Sequence, residues 1–213
     1  MATQAPPETL TAQAQPGTRP RMTYDEFLAW AGEDTHAEWV SGEVYVLLTA
    51  EMPHQQIVDF LNRLIGFFID SRDVGALFSG PASIKLEKSG REPDLFFVSK
   101  ANLTRVTKKY FDGPPDLIIE VVSDDSVSRD RADKFEEYED AGVKEYWIID
   151  PRPRRRRADF FQLGADGKYQ PVPVGADGRY RSQVLPGFWI KVGWLWEEPL
   201  PKLQPTLNEI MGK

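Results

Sequence analysis

Residues 116–150 read DLIIEVVSDDSVSRDRADKFEEYEDAGVKEYWIID, and this stretch decides the fold. Leu117 to Val122 is a short apolar run rich in β-branched side chains, the pattern of a strand buried on both faces. Glu120 interrupts it, and a lone carboxylate there is costly unless it is paired or holds a metal. A polar turn follows at Ser123, Asp124, Asp125, Ser126 and Ser128. Residues 129–141 carry a helical pattern that Gly142 is placed to stop. Val143 to Asp150 is a second apolar strand, closed by Pro151. A strand–helix–strand unit of this kind joins parallel strands by a right-handed crossover. Ligands gather where its strands end and its helix begins. Asp130 and Lys134 are one helical turn apart and share a face, which is expected to look back at Glu120.

Upstream, Glu92-Pro93-Asp94 leads into a further apolar strand, Leu95 to Val98. Before it, Pro53 opens a long helix to Asp70, with Ile57, Phe60, Leu61, Leu64, Ile65 and Phe68 at helical spacing. Short strands are expected near Ala76 to Ser79 and Ser83 to Leu86. Residues 36–47 read as a hairpin turning at Ser41-Gly42, with Glu38 just ahead of its first strand and Trp39, Val40, Val44 and Val46 as core candidates. Thr23-Tyr24-Asp25-Glu26 is a capping box for a short helix. Downstream of Pro151 the texture changes to a basic run, Arg152 and Arg154 to Arg157, then short antiparallel strands around two Gly-Ala-Asp-Gly turns at 164–167 and 175–178. The expected organisation is a disordered tail over 1–20, a single domain over 21–198 and a C-terminal tail over 199–213 that packs on the body or on a second subunit.

The chain has 213 residues, with 41% hydrophobic and 12% aromatic content, enough for one domain with a core. Net charge is −7, which argues against broad non-specific binding to nucleic acid while allowing a local basic patch. With no cysteine, disulfides and thiolate zinc sites are excluded, and a cytoplasmic location is the simplest expectation. Two histidines, His36 and His54, are too few for a multi-histidine metal site. No apolar stretch reaches membrane-spanning length.

Asp94 and Glu120 each stand in an otherwise apolar strand, and Lys134 lies on the helix that follows. Two strand carboxylates and a helix ammonium match the needs of metal-assisted phosphodiester hydrolysis. Mg²⁺ or Mn²⁺ takes oxygen ligands, lowers the pKa of a bound water and neutralises charge on the phosphate, and an ammonium can stabilise the same charge. The set Glu92-Pro93-Asp94, Glu120-Val121-Val122 and Lys134 resembles the PD-(D/E)XK nuclease superfamily in a rearranged form. The usual lysine position, two residues after the second acid, is here Val122. The ordered motifs resemble the Uma-two family of restriction-endonuclease-like proteins. They are Glu38 with Gly42-Glu43-Val44, His54, Pro93-Asp94, Asp116 to Val121, Asp130 with Lys134 and Tyr138, and Gly142 to Pro151; together they cover about Met22 to Phe188.

The resemblance implies a mixed α/β (α+β) fold, a restriction-endonuclease-like central mixed β-sheet flanked by helices, with antiparallel hairpins on the C-terminal side. It also implies DNA as partner, a homodimer, Asp94 and Glu120 as metal ligands, Lys134 as the charged helper and Glu38 as a fourth catalytic residue. His54 and Asp130 are accessory candidates, with Asp130 orienting Lys134. Each has a plainer alternative. Glu120 could be satisfied by a buried arginine or backbone amides, Asp94 could be a turn residue, and Lys134 a surface partner of Asp130 or Tyr138. Glu38 could be an exposed strand end, His54 a cap or packing residue, and the arginine run a solvated edge rather than a phosphate patch. The expected function is a metal-dependent endonuclease of DNA. The alternative is a non-catalytic or weakly catalytic nucleic-acid-binding module on the same fold. A glycosidase acid/base pair would leave Lys134 unexplained.

Overall fold

The structure is a computed structural model, and it describes residues 20–32, 35–47, 51–123 and 132–212. Asp130, the polar turn from Asp124 to Ser128 and the expected tail through Arg19 lie outside the described residues.

The expected unit forms around β8 (Leu117–Val121), α3 (Lys134–Ala141) and β9 (Glu145–Asp150), and the two strands pair in parallel from Leu117↔Glu145 to Val121↔Ile149. Gly142 stops α3 in a left-handed conformation at φ 87°, which a side chain would strain. On the other edge of β8 runs β6 (Leu95–Ser99), antiparallel, with β3 (Gly75–Ser79) beyond it. On the far side of β9 lie β10 (Arg157–Leu163) and β11 (Tyr169–Pro171). The result is a six-stranded mixed sheet.

Alternation along the strands sorts its two faces. Leu117, Ile119 and Val121 point to one core, shared with Leu61, Leu64 and Phe68 of the long helix α2 (Met52–Arg72). Ile118 and Val122 point to the other, shared with Tyr138 of α3. Glu120 has the parity of Ile118, so it faces α3.

A second sheet contains β1 (Ala37–Val40), β2 (Glu43–Val46), β4 (Ile84–Lys85), β5 (Ser89–Arg91) and β7 (Phe111–Asp112). The β1–β2 hairpin turns at Ser41 and Gly42, φ 48° and 94°, as that dipeptide predicts. Its inward residues differ in part from expectation: Val44 is buried and Trp39 packs against the same cluster, as expected. Ala37 and Glu38 are buried and Val46 is exposed, and Glu38 belongs to β1 instead of preceding it.

The two Gly-Ala-Asp-Gly turns close the same way, with Gly164 N–H on Lys168 O and Gly175 N–H on Arg179 O, but only the first joins paired strands. The second leads into β12 (Arg179–Arg181), whose partner is β13 (Trp189–Lys191). The segment read as a C-terminal tail contains α4 (Leu203–Met211), which packs Leu203, Leu207 and Ile210 onto the α2 core. Pro205 hid it from the periodicity, yet a proline in the first turn costs no helical hydrogen bond.

Candidate active site

Five of the expected residues, Asp94, His54, Glu120, Lys134 and Glu38, converge at the carboxyl end of β8. Extending the β6–β8 register from Leu95↔Ile119 by one residue sets Asp94 opposite Glu120. Asp94 Oδ2 accepts the Val121 N–H at 2.7 Å and lies 3.2 Å from His54 Nε2, so the first turn of α2 and the edge of β8 together hold that carboxylate. Both hydrogen bonds fall on one oxygen, which leaves Oδ1 for a ligand. His54 is itself buried, as a packing residue would be, and its ring also contacts Asp94.

Glu120 is 3% exposed. Its Oε1 accepts from Lys134 Nζ at 2.9 Å and from the Tyr138 hydroxyl at 2.9 Å. Lys134 opens α3 and is buried, and its ammonium also lies 3.2 Å from Glu38 Oε1. It therefore joins a strand of each sheet. That excludes the plainer readings of Lys134 as a surface charge and of Glu38 as an exposed strand end: Glu38 is fully buried.

Arg91 completes the arrangement, and sequence reasoning missed it. It is 2% exposed and donates from Nη1 to Glu38 at 3.0 Å and from Nε to Glu137 at 2.9 Å. Glu137, on α3, also accepts from the Ser89 hydroxyl. The available signal was a cation directly before Glu92-Pro93-Asp94. Strand β5 has only three residues, too few for alternation to mark an inward side, and all three are buried.

Burial pushes the Glu38 carboxyl upward, but Lys134 and Arg91 outweigh it and hold the group below the usual carboxylate range. Burial, with the Glu120 and Glu38 carboxylates, pushes the Tyr138 hydroxyl far up, so it stays protonated and donates. Glu92, whose N–H donates to Glu38 Oε1 at 3.3 Å, is the opposite case. Burial and the Glu38 charge raise its carboxyl to about 7.

Asp94, Glu92 and His54 line a cleft of about 400 Å³ that also reaches His36 and Gly80. Counted formally, Glu38, Glu120 and Glu137 against Lys134 and Arg91 leave one negative charge among the described residues, and Asp94 makes two. Among those residues no three His, Asp or Glu side chains converge to cage an ion by themselves. The donor set is oxygen-rich and incomplete, which suits a hard cation that keeps several waters.

A buried strand carboxylate is not by itself a site. Glu145 on β9 is fully buried and accepts from Trp147 Nε1 at 2.7 Å, the Tyr180 hydroxyl at 2.8 Å, the Ser182 hydroxyl at 3.1 Å and the Gln183 and Val184 N–H groups at 2.9 and 3.2 Å. These neutral donors saturate it, and it ties the segment after β12 to the central sheet.

Comparison with known proteins matches a family model, Uma2, described as "Putative restriction endonuclease", over residues 24–193. No curated protein matches the chain. Among solved structures, one described as a "putative nuclease belonging to DUF820" from Anabaena variabilis ATCC 29413 is similar, with a TM-score of 0.60 and 17% identity. The match covers 82% of this chain and 97% of that one. The fold is thus the restriction-endonuclease-like one that the sequence motifs imply.

Proposed function

The chain belongs to the Uma2 family, and from that premise we propose that it is a metal-dependent endonuclease that hydrolyses phosphodiester bonds of DNA. The family description points to a nuclease. The observation that carries the finer reading is Lys134, a buried ammonium on α3 shared by Glu120 of β8 and Glu38 of β1.

In this reading Asp94 and Glu120 supply the protein ligands of a Mg²⁺ or Mn²⁺ ion. The bound cation would acidify a water and neutralise charge on the scissile phosphate. Hydrolysis would join the water oxygen to phosphorus and break the bond from phosphorus to the leaving oxygen, the proton given up by the water balancing the one taken up by the leaving oxygen. Asp94 is held in place by His54 and the Val121 N–H. Lys134 keeps its proton between two carboxylates and offers positive charge beside Glu120, where charge builds on the phosphate. Glu38 and Arg91 act through Lys134 and position it. Tyr138 fixes the Glu120 oxygen that Lys134 also uses.

The same proposal includes a cytoplasmic protein acting as a homodimer, which light scattering after size-exclusion chromatography tests. Among the described residues no helix is long and apolar enough to cross a membrane.

The decisive experiment titrates Mg²⁺ and Mn²⁺ calorimetrically into wild type, Asp94→Ala and Glu120→Ala, with and without DNA, beside a plasmid-cleavage assay. Metal binding and cleavage should vanish in both variants while circular dichroism stays native. Full cleavage by either folded variant refutes the assignment. DNA binding without turnover under every metal would favour the non-catalytic module.

A further inference from the structure

Two cavities open at the carboxyl ends of β8 and β9, and His54 lines both. One is the cleft that holds Asp94. The other, about 290 Å³, is lined by Glu51, Pro53, Ser123, Arg152 and Arg155. The turn after β9 places the basic run here, because Val121 pairs with Ile149 and Asp150 with Arg157 at the same end of the sheet.

The structure sorts those arginines. Arg152 is forked onto Asp150 at 2.9 and 2.8 Å. Arg156 is paired with Glu198. Arg157 is forked onto Asp159 at 2.8 Å through both nitrogens. Arg155 lines the cavity, is exposed, and has no carboxylate partner among the described residues. Its N–H bonds Arg152 O at 3.0 Å, and Arg154 takes a left-handed φ of 65°, so a tight turn presents the side chain.

We propose that this second cavity is a phosphate subsite in which Arg155 binds a backbone phosphodiester of the DNA, next to the one addressed at Asp94. The inference rests on the nuclease reading and adds the path of the strand to it. A guanidinium free of carboxylates offers a planar fork of donors to phosphate oxygens. Arg152, on the same wall, is held by Asp150, so the pair adds no net charge and Arg155 is the cation the cavity offers. Glu51, also on the cavity wall, has the wrong sign for a phosphate and opposes binding. Because His54 is common to both cavities, a strand seated at Arg155 passes it on the way to Asp94. The chain is acidic overall, so a phosphate needs such a local cationic point.

The test measures binding of a fluorescein-labelled DNA duplex of about 20 base pairs by anisotropy, with Ca²⁺ in place of Mg²⁺, over roughly 50 to 200 mM KCl. Wild type should bind with a steep salt dependence. Arg155→Ala should bind roughly three- to tenfold more weakly at low salt, and its log–log salt slope should be shallower by about 0.9. Arg155→Lys should keep most of the slope, and Glu51→Gln should tighten binding. Arg181→Ala, which removes a cation paired with Asp177 on β12, should change neither affinity nor slope. If wild type binds and Arg155→Ala behaves identically, or if Arg181→Ala causes the same loss, the subsite is refuted while the nuclease reading stands. If wild type does not bind the duplex at any salt, the nuclease reading fails and takes the subsite with it.

Discussion

Replacing Lys134 by alanine should be among the most damaging single changes in this protein. Its ammonium lies 2.9 Å from Glu120 and 3.2 Å from Glu38, and the side chains of the three are 7%, 4% and 0% exposed. Removing one partner of a buried ion pair leaves an uncompensated charge and costs about 3–5 kcal/mol. Here Glu38 keeps Arg91 and the Glu92 N–H, and Glu120 keeps the Tyr138 hydroxyl. The loss should therefore fall near the lower end, about 3 kcal/mol. The pH dependence has a definite sign. The Glu38 carboxyl is depressed in the native protein below the ordinary glutamate value of 4.5. Its contribution is fully present above that value and is lost as pH falls through the lower native one. Lys134→Ala removes part of that depression, so the gap between variant and wild type should be widest near neutral pH and narrow below about 4.5. Urea unfolding at several pH values measures it, and the double variant Lys134→Met with Glu120→Gln should recover much of the loss. A Lys134→Ala cost below about 1 kcal/mol, unchanged with pH, would refute a buried, charged network.

Other changes separate scaffold from site. Glu145→Ala should cost about 3 kcal/mol or more, because it strands several buried donors, yet leave metal affinity intact in the folded fraction; calorimetry on folded protein checks this. Tyr138→Phe removes one hydroxyl from Glu120 and should lower stability by about 1.5 kcal/mol in urea titrations. Gly75→Ala should destabilise by about 3 kcal/mol, read as a lower thermal midpoint. A Cβ there would lie 2.1 Å from Val98 O and 2.9 Å from Ser99 Cα, backbone atoms of the neighbouring strand that cannot step aside.

The parallel unit around β8 and β9, the α2 core face and the turn at Ser41-Gly42 were legible in the sequence. Each is written in local spacing: β-branched runs, a 3.6-residue period, a dipeptide that tolerates positive φ. Asp94 and Glu120 stood out because a charge in an apolar strand is anomalous by itself. Lys134 and Glu38 were identifiable only through the ordered family motifs, since nothing local marks a helix lysine or a strand-end glutamate as buried. Helix α4 and strand β5 were missed because the first carries Pro205 and the second has three residues.

What the sequence determined by itself was which segments are buried and on which period, because alternation and helical spacing are properties of neighbouring residues. What only the tertiary structure decided was who answers each buried charge. Glu120 and Glu145 look alike in sequence, each in an apolar strand of the same sheet. One meets an ammonium brought by α3 and the other a ring of neutral donors from β9, β12 and the segment after β12. Likewise, of the five arginines between 152 and 157, Asp150, Glu198 and Asp159 pair Arg152, Arg156 and Arg157, Arg154 takes the left-handed turn position, and Arg155 lines the cavity. A carboxylate accepts from any donor that the fold brings within hydrogen-bond reach, and the donors on Glu120 and most of those on Glu145 come from residues far along the chain, beyond the reach of any local pattern.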